Sequence, residues 1–233
     1  MMIEELSIII PCFNEQDRIL KTLHTIETYC KKNIKKYEII IVDDGSTDKT
    51  FKLISMNFPD IIILRNITNY GKGFSVKKGM GFAKYNWALF SDADLSAPIE
   101  EVEKLFKEAY DYEVVFGSRN APNGERVVNQ NIIRVIAGRT FPIIVNLIMG
   151  WNYGDTQCGF KLFSKKAREI IFEKQTINGF AFDVELLYIA KINNIKCKEV
   201  GVKWVNSPNS KVDLIRDSWK MFNEVLKIKK THR

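Results

Sequence analysis

The sequence predicts an α/β fold built on one mostly parallel sheet flanked by helices, and three observations predict it. Short β-branched or aromatic runs recur without polar alternation, segments of helical length separate them, and each run but one ends in a polar cluster. Runs without alternation suit strands covered on both faces, and a strand, helix, strand order implies right-handed crossovers in a doubly wound sheet.

The elements follow in order. Ser7-Ile8-Ile9-Ile10 runs into Pro11-Cys12-Phe13-Asn14-Glu15, with a helix expected from Glu15 to Lys31. Ile39-Ile40-Ile41-Val42 ends in Asp43-Asp44-Gly45-Ser46, and a helix is expected from Asp48, its N-cap, to Met56, with Gly45 as a turn residue. Ile61-Ile62-Ile63-Leu64 precedes Asn69-Tyr70-Gly71-Lys72-Gly73, which opens a helix expected from Gly73 to Tyr85. Trp87-Ala88-Leu89-Phe90 runs into Ser91-Asp92-Ala93-Asp94 and a helix from Pro98 to Ala109. Val114-Val115-Phe116 ends in Gly117-Ser118-Arg119. Beyond it come a polar loop from Asn120 to Asn131 and an apolar segment from Ile132 to Trp151, interrupted by Arg134, Arg139 and Pro142. A helix from Asp183 to Asn193, a strand from Lys198 to Val205 and an amphipathic helix from Asp213 to Lys230 complete the chain.

In open α/β sheets ligands sit beyond the carboxyl ends of the strands, so the polar clusters are expected to converge on one crevice. The 233 residues suffice for one domain spanning 1–233. The net charge of +7 favours an anionic partner, whether nucleic acid, an anionic membrane surface or a phosphorylated small molecule. Cys12, Cys30, Cys158 and Cys197 are scattered and form no CxxC pair, so they signal neither a zinc site nor a disulfide framework, and reduced thiols in a cytoplasmic setting are expected. The start MMIEELSIIIP lacks the basic residues and long apolar stretch of a secretion signal, and no run reaches the roughly 20 apolar residues of a spanning helix. Any work at a membrane is therefore expected to be peripheral. His24 and His232 are the only histidines, which argues against a Ser-His-Asp or His-rich metal site; His24 reads as an ordinary polar residue of the first helix.

Three clusters carry chemistry. Asp92-Ala93-Asp94 puts two carboxylates on a tight turn after a buried strand, where Mg²⁺ or Mn²⁺ bound to a diphosphate would find oxygen ligands. Two acids in a surface turn are common, so it is the position after the strand that gives this pair weight. In Asp43-Asp44-Gly45-Ser46-Thr47-Asp48 the second Asp at the strand tip exceeds what a cap needs, and its carboxylate is expected to accept hydrogen bonds from a base or ribose. Gly71-Lys72-Gly73 opens a helix, where backbone amides and an ammonium favour phosphate oxygens. Neither G-x-x-x-x-G-K-[ST] nor G-x-G-x-x-G is present, which disfavours ATP hydrolysis and dinucleotide redox chemistry.

PCFNE, IIVDDGSTDKT, NYGKG, SDADLS and GSR, in this order and spacing, resemble the GT-A fold of the family 2 inverting glycosyltransferases across nearly the whole chain. DTQCGFKLF (Asp155 to Phe163), FAFDVELLYIA (Phe180 to Ala190) and KWVNSPNSKV (Lys203 to Val212) look like its polyprenol-phosphate branch, especially the dolichyl-phosphate β-glucosyltransferases. The resemblance implies a nucleotide-sugar-binding half, 1–119, and an acceptor-binding half, 120–233. It implies that Pro11, Phe13, Glu15, Asp43 and Asp44 hold the nucleoside, that Lys72 and Asp92 lie near its ribose or phosphates, and that Asp94 is the principal metal ligand beside Asp92. Asp155, Gln157 and Arg119 fall where relatives contact the sugar or the acceptor phosphate. Ser96 departs from the glutamine that mannosyl relatives often carry near the metal, and the membrane-anchoring helix of eukaryotic relatives is missing.

The expected reaction moves a hexose, glucose from UDP-glucose, to a polyprenyl phosphate at the cytoplasmic membrane face. The alternatives are a GDP-mannose donor and a saccharide hydroxyl acceptor, which would need Asp183 or Asp155 as a base. Arg126, Arg134 and Arg139 lie in or beside the apolar segment and could receive the acceptor phosphate, although a core helix with arginines at its solvent edge weighs equally. For the C-terminal helix, with Trp219, Phe222, Val225 and Leu226 on one side, core packing is the preferred account. A processive polysaccharide synthase would add Q-x-x-R-W and membrane helices. A nucleotidyltransferase would carry a Gly-rich loop where this chain has PCFNE. A nucleic-acid-binding module is disfavoured because the basic residues are dispersed.

Overall fold

The computed structural model describes residues 2–122, 124–126, 142–205 and 214–232, and for residues 125, 126 and 214–220 it describes the backbone. In chain order the elements are β1 (Ile3–Cys12), α1 (Ile19–Asn33), β2 (Ile34–Asp43), α2 (Thr50–Asn57), β3 (Ile62–Arg65), α3 (Lys72–Phe82) and β4 (Trp87–Ser91). A 3₁₀ turn (Ile99–Glu101) leads into α4 (Val102–Glu108), then β5 (Val114–Ser118) and β6 (Glu125–Arg126). Helix α5 covers 142–149. β7 (Phe160–Ser164), α6 (Lys165–Lys174), α7 (Phe182–Ile192), β8 (Cys197–Gly201), β9 (Lys203–Trp204) and α8 (Leu214–Thr231) follow.

Seven strands form one sheet in the order β3-β2-β1-β4-β7-β5-β8, and β6 pairs separately with β9. All neighbours in the large sheet are parallel except β7, which runs antiparallel to both β4 and β5. Alternate residues of the runs serve opposite faces, which is why they show no polar alternation. Ile8, Ile10, Ile39, Ile41 and Leu89 join α1 and α4 in one core, whereas Ile9, Ile40, Val42, Ala88 and Phe90 join α3, α6 and α7 in the other. Ile19, Leu23, Ile26 and Cys30 stack along one stripe of α1, and all four are fully buried. Helix α7 is buried nearly all round, because Val184 turns to a third cluster with Val145 and Met149 of α5 and Val225 and Ile228 of α8.

Several expectations need correcting. The Ile61 to Leu64 run forms the edge strand β3, and Ile62 is 37% exposed rather than covered on both faces. Helix α1 begins at Ile19, because residues 14–18 first form a turn whose leading residue, Asn14, has φ 55°. The expected strand from Lys198 to Val205 breaks at Val202 into β8 and β9, which belong to different sheets. Strand β7 and helix α6 were not anticipated. On α8 Val225 is buried as expected, but Leu226 is 50% exposed and Ile228 takes its place in the core. His24 lies exposed on α1, its ring 4.9 Å from that of Phe58.

Candidate functional site

The carboxyl ends of β1, β2 and β4 meet at one edge of the sheet and are latched together by side chains. The amide of Asn14 donates to Ser46 Oγ at 2.9 Å, and Asn14 Oδ1 accepts the Thr47 amide at 2.8 Å, tying the tip of β1 to that of β2. Pro11 is buried at the end of β1 and Phe13 is half-buried beyond it. The Glu15 amide donates to Thr50 Oγ1, and the Glu15 carboxylate forms an ion pair with Arg18. The N-cap of α2 is Lys49 rather than Asp48, and Asp48, one residue earlier, accepts the Thr50 amide at 2.9 Å.

Asp43 and Asp44 divide their work. Asp43, fully buried, accepts the Ser46 amide on Oδ1. Its Oδ2 lies 3.2 Å from Arg65 Nε yet has no hydrogen bond among the described residues. Asp44, expected to offer its carboxylate to a nucleoside, already takes three donors from its own chain. Oδ1 already accepts from Asn66 Nδ2 (2.7 Å) and the Tyr70 amide (3.0 Å), and Oδ2 accepts the Gly71 amide (2.8 Å). Asp44 therefore fixes the loop that presents Lys72.

The expected phosphate cradle at the start of α3 is also corrected. The Gly73 and Phe74 amides donate to the Asn178 carbonyl at 2.8 and 3.3 Å, so they are already engaged. Gly71 is required there: it has φ 106°, and a β-carbon would stand 2.4 Å from Asn178 O. What this loop presents to an anion is the ammonium of Lys72.

Lys72 Nζ lies 2.6 Å from Asp92 Oδ1 and 5.1 Å from the centroid of the Phe90 ring. Burial works against its charge, but Asp92 and then Asp183 outweigh it and raise its pKa. For Asp92, burial and the adjacent Asp94 push the pKa up against the pull of Lys72. The Asp92-Ala93-Asp94 turn is shaped by Leu95 at φ 47°, whose amide donates to the Asp92 carbonyl, and is anchored to α1 by Thr22 Oγ1 on the Ala93 carbonyl at 2.6 Å. Asp94 Oδ1 accepts the Ser96 amide at 2.9 Å.

Arg119, at the end of β5, grips Asp155 with two parallel bonds, Nε to Oδ2 at 2.5 Å and an Nη to Oδ1 at 2.9 Å. Its guanidinium carbon lies 5.1 Å from the centroid of the Trp204 ring. Burial alone would raise the Asp155 pKa, but Arg119 wins and holds it below the usual range. Glu199 of β8 accepts the Gly154 and Asp155 amides at 2.9 and 2.8 Å and so fixes this loop. The Gln157 amide donates to Asp155, and Gln157 Nε2 lies 3.2 Å from Met221 Sδ on α8. Asp183, at the start of α7, is nearly fully buried in an ion pair with Lys161.

Glu15, Asp43, Asp92, Asp155 and Asp183 thus each face a cation, whereas Asp44 and Asp94 have none within ion-pair distance among the described residues; Asp44 is held by three neutral donors and Asp94 by the Ser96 amide. Asp94 together with Asp92 supplies hard oxygen donors on one turn, with the Lys72 ammonium beside Asp92 and Asp94 in no ion pair among the described residues. No third acid, His or Cys among the described residues completes a metal cluster with them. Mg²⁺ and Mn²⁺ characteristically keep positions for water and substrate phosphates, so a two-carboxylate set fits either ion. Arg126 lies on β6, with only its backbone described; Arg134 and Arg139 lie outside the described residues, as does most of the expected 120–131 loop. Sequence reasoning missed Arg18, Arg65, Asn66, Lys161 and Glu199 as members of this region. A lysine inside the apolar run Phe160 to Phe163 was the one signal available for any of them.

The sequence model of the family described as Glycosyl transferase family 2 matches residues 7–172. A dolichyl-phosphate beta-glucosyltransferase of Dictyostelium discoideum is 35% identical over 240 residues, covering 96% of this chain and 73% of that protein. Its counterparts from Saccharomyces cerevisiae and Homo sapiens are 33% and 30% identical, covering 96% and 90% of this chain and 74% and 70% of their own length. Among solved structures, glucosyl-3-phosphoglycerate synthase from Mycobacterium tuberculosis, in complex with Mn²⁺, UDP and glucosyl-3-phosphoglycerate, superposes with a TM-score of 0.69 at 15% identity, over 97% of this chain and 78% of that one. Mannosyl-3-phosphoglycerate synthase from Rubrobacter xylanophilus gives 0.69 at 13% identity, over 98% and 74%. At such identities these two likenesses concern the fold alone.

Proposed function

Because the chain belongs to the family 2 glycosyltransferases, we propose that it transfers glucose from UDP-glucose to a polyprenyl phosphate of the dolichyl type, with inversion at the sugar C1. The observation that carries this reading is the Asp92-Ala93-Asp94 turn with the Lys72 ammonium 2.6 Å from Asp92, at the carboxyl edge of the sheet. Relatives over 90% or more of the chain bear the name dolichyl-phosphate beta-glucosyltransferase, which supports both sugar and acceptor.

Pro11 and Phe13 bound the nucleoside, and Asp43 Oδ2 offers an acceptor to the base. Asp44 acts one step back, by holding the Lys72 loop. Asp94 and Asp92 would hold Mg²⁺ or Mn²⁺, which when bound would neutralise charge on the diphosphate. Lys72 stabilises the negative charge that builds there as the bond from C1 to the diphosphate oxygen breaks. The incoming nucleophile is an oxygen of the lipid phosphate, which bonds to C1 from the opposite face.

A phosphate monoester has its second pKa near 6, so at neutral pH it needs no base. Asp155 and Asp183 are both committed to ion pairs, with Arg119 and Lys161. A site whose candidate bases are so engaged suits a nucleophile already ionised, which favours a phosphate over a saccharide hydroxyl. Arg119, 26% exposed at its side chain, is the cation offered to the acceptor phosphate, with Gln157 beside it.

No helix among the described residues is long and apolar enough to cross a membrane. Ile143, Ile144 and Leu147 of α5 are 66%, 40% and 85% exposed, which suits docking at the cytoplasmic face of a membrane that holds the acceptor. The first 119 residues would then serve the donor, and 120–233 the acceptor, within one domain.

The experiment is a donor panel against one polyprenyl phosphate. Label from UDP-glucose enters the organic phase and requires Mg²⁺ or Mn²⁺; label entering from GDP-mannose instead would reverse the donor. UDP with metal raises the melting temperature, and in Asp94→Ala the metal-dependent part of that rise disappears. Equal shifts in variant and parent would sink the metal assignment.

A further inference from the structure

Lys161 is the most unexpected side chain in the molecule. It is the second residue of β7, paired in register with Phe90 of β4 on one side and Phe116 of β5 on the other, and all three are fully buried. An ammonium in such surroundings is costly to desolvate unless its partners are well placed. Lys161 Nζ has two, the Cys158 carbonyl at 2.6 Å and the Asp183 carboxylate.

Both partners lead to the same place. The peptide after Cys158 carries Gly159, whose carbonyl accepts the Asp92 amide at 3.0 Å. Asp183 lies in the first turn of α7 next to Phe182, and Phe182 packs on the start of α3 so closely that a β-carbon on Gly73 would lie 2.7 Å from its own. Lys72 is the residue before Gly73. Two ion pairs, Lys161–Asp183 inside the sheet and Lys72–Asp92 at its functional edge, are thus joined through the packing of Phe182 on Gly73. Electrostatics agree, since Asp183 is the second carboxylate, after Asp92, that stabilises the Lys72 ammonium.

We propose that Lys161 is a positioning residue for the transfer reaction: by saturating Asp183 it leaves Lys72 at Asp92, where the donor diphosphate must meet it. This rests on the function proposed above. Without Lys161, Asp183 becomes a buried carboxylate in want of a cation, and it draws Lys72, whose helix start packs on the neighbouring Phe182. Lys72 then moves away from Asp92. The acidic pair loses its resident ammonium, and the diphosphate loses its lysine.

The consequence has opposite signs for two ligands, which a general loosening of the fold would not give. In Lys161→Met, Mn²⁺ alone binds about threefold or more tighter than in the parent, and UDP in the presence of saturating Mn²⁺ binds about tenfold more weakly. Lys161→Met/Asp183→Asn removes the competing carboxylate and brings UDP back to within about threefold of the parent. Free Mn²⁺ is read by its electron paramagnetic resonance signal, UDP by calorimetry, and folding by circular dichroism at the assay temperature. If Lys161→Met does not fold, Lys161→Gln, which keeps a donor for Cys158 and Asp183 without the charge, takes its place with the same expected signs. Unchanged Mn²⁺ and UDP affinities in a folded variant overturn the inference, as does weakening of both, or a double variant as weak for UDP as the single. A parent protein that binds no UDP with Mn²⁺ removes the proposed function and this inference together, whereas normal binding in the parent with no sign split in the variant removes this inference alone.

Discussion

A β-carbon on Gly159 would stand 2.0 Å from Asp92 Oδ2, so the bare backbone of the β7 approach is one wall of the acidic turn. The opposing atoms belong to a carboxylate already held by Lys72 and by its own amide on the Gly159 carbonyl. Gly159→Ala must push the Asp92 side chain out of place. Misplacing a group by about 1 Å at a reacting centre can cost about 100-fold in rate, and that is the loss expected in kcat/KM for UDP-glucose. Steady-state assay of a variant whose melting temperature is near that of the parent checks it; activity within a few-fold would show that Asp92 need not sit where it does.

Asp44 takes three hydrogen bonds from Asn66, Tyr70 and Gly71. Asp44→Asn replaces one acceptor oxygen with a donor facing another donor. Bonds to a charged group are individually worth about 1.5–3 kcal/mol, so a loss of about 2 kcal/mol is expected from the urea midpoint. UDP affinity should fall too, because the Lys72 loop is no longer fixed. A destabilised variant with parental UDP affinity would contradict the latch.

The Arg119–Asp155 pair sets a pH dependence. Arg119 depresses the folded pKa of Asp155 against burial. A carboxylate whose folded pKa lies below its unfolded value of about 3.9 contributes stability in full above that value, and loses it as pH falls through the folded pKa. Asp155→Asn leaves the partly exposed Arg119 guanidinium without its carboxylate and should cost about 2 kcal/mol at pH 7, less than for a fully buried pair. The gap between parent and variant should hold down to about pH 4 and close below it. Urea unfolding in steps from pH 7 to pH 3 reads this directly, and a gap that closed already near pH 6 would point to another group.

Leu147 is 85% exposed on α5, beside Ile143 and Ile144. If this face rests on a bilayer, Leu147→Glu should lower co-sedimentation with anionic lipid vesicles about tenfold while leaving UDP binding in solution unchanged. Unaltered sedimentation would move the membrane contact to another face.

How far the sequence could be read depends on the kind of interaction involved. The Ile8 to Ile10 and Ile39 to Val42 runs announced buried parallel strands, because consecutive β-branched residues fit only a sheet covered on both sides. The same logic missed Phe160 to Ser164, where Lys161 interrupts the apolar run of a central strand. Asp43, Lys72, Asp92 and Asp94 were assigned to one edge correctly, since strand ends must lie there in a parallel sheet. Which carboxylates were already engaged was not legible. Asp44 meets Gly71 and Arg119 meets Asp155 only through the topology, and nothing local in the chain marks such pairings. The amides at the start of α3 failed for the same reason, being closed by Asn178 from a distant loop.

Strand β7 lies between β4 and β5 although it follows both by more than forty positions in the chain. During synthesis, a polypeptide that has left the ribosome only as far as Ser118 carries β4 with one bare edge and β5 with neither of its neighbours. Unpaired edges of this kind invite pairing with other chains. Residues 1–119 are accordingly no autonomous piece: ending translation at residue 119 should give an insoluble product, and co-expression with 120–233 should rescue it only if strand β7 can still thread between the two waiting strands.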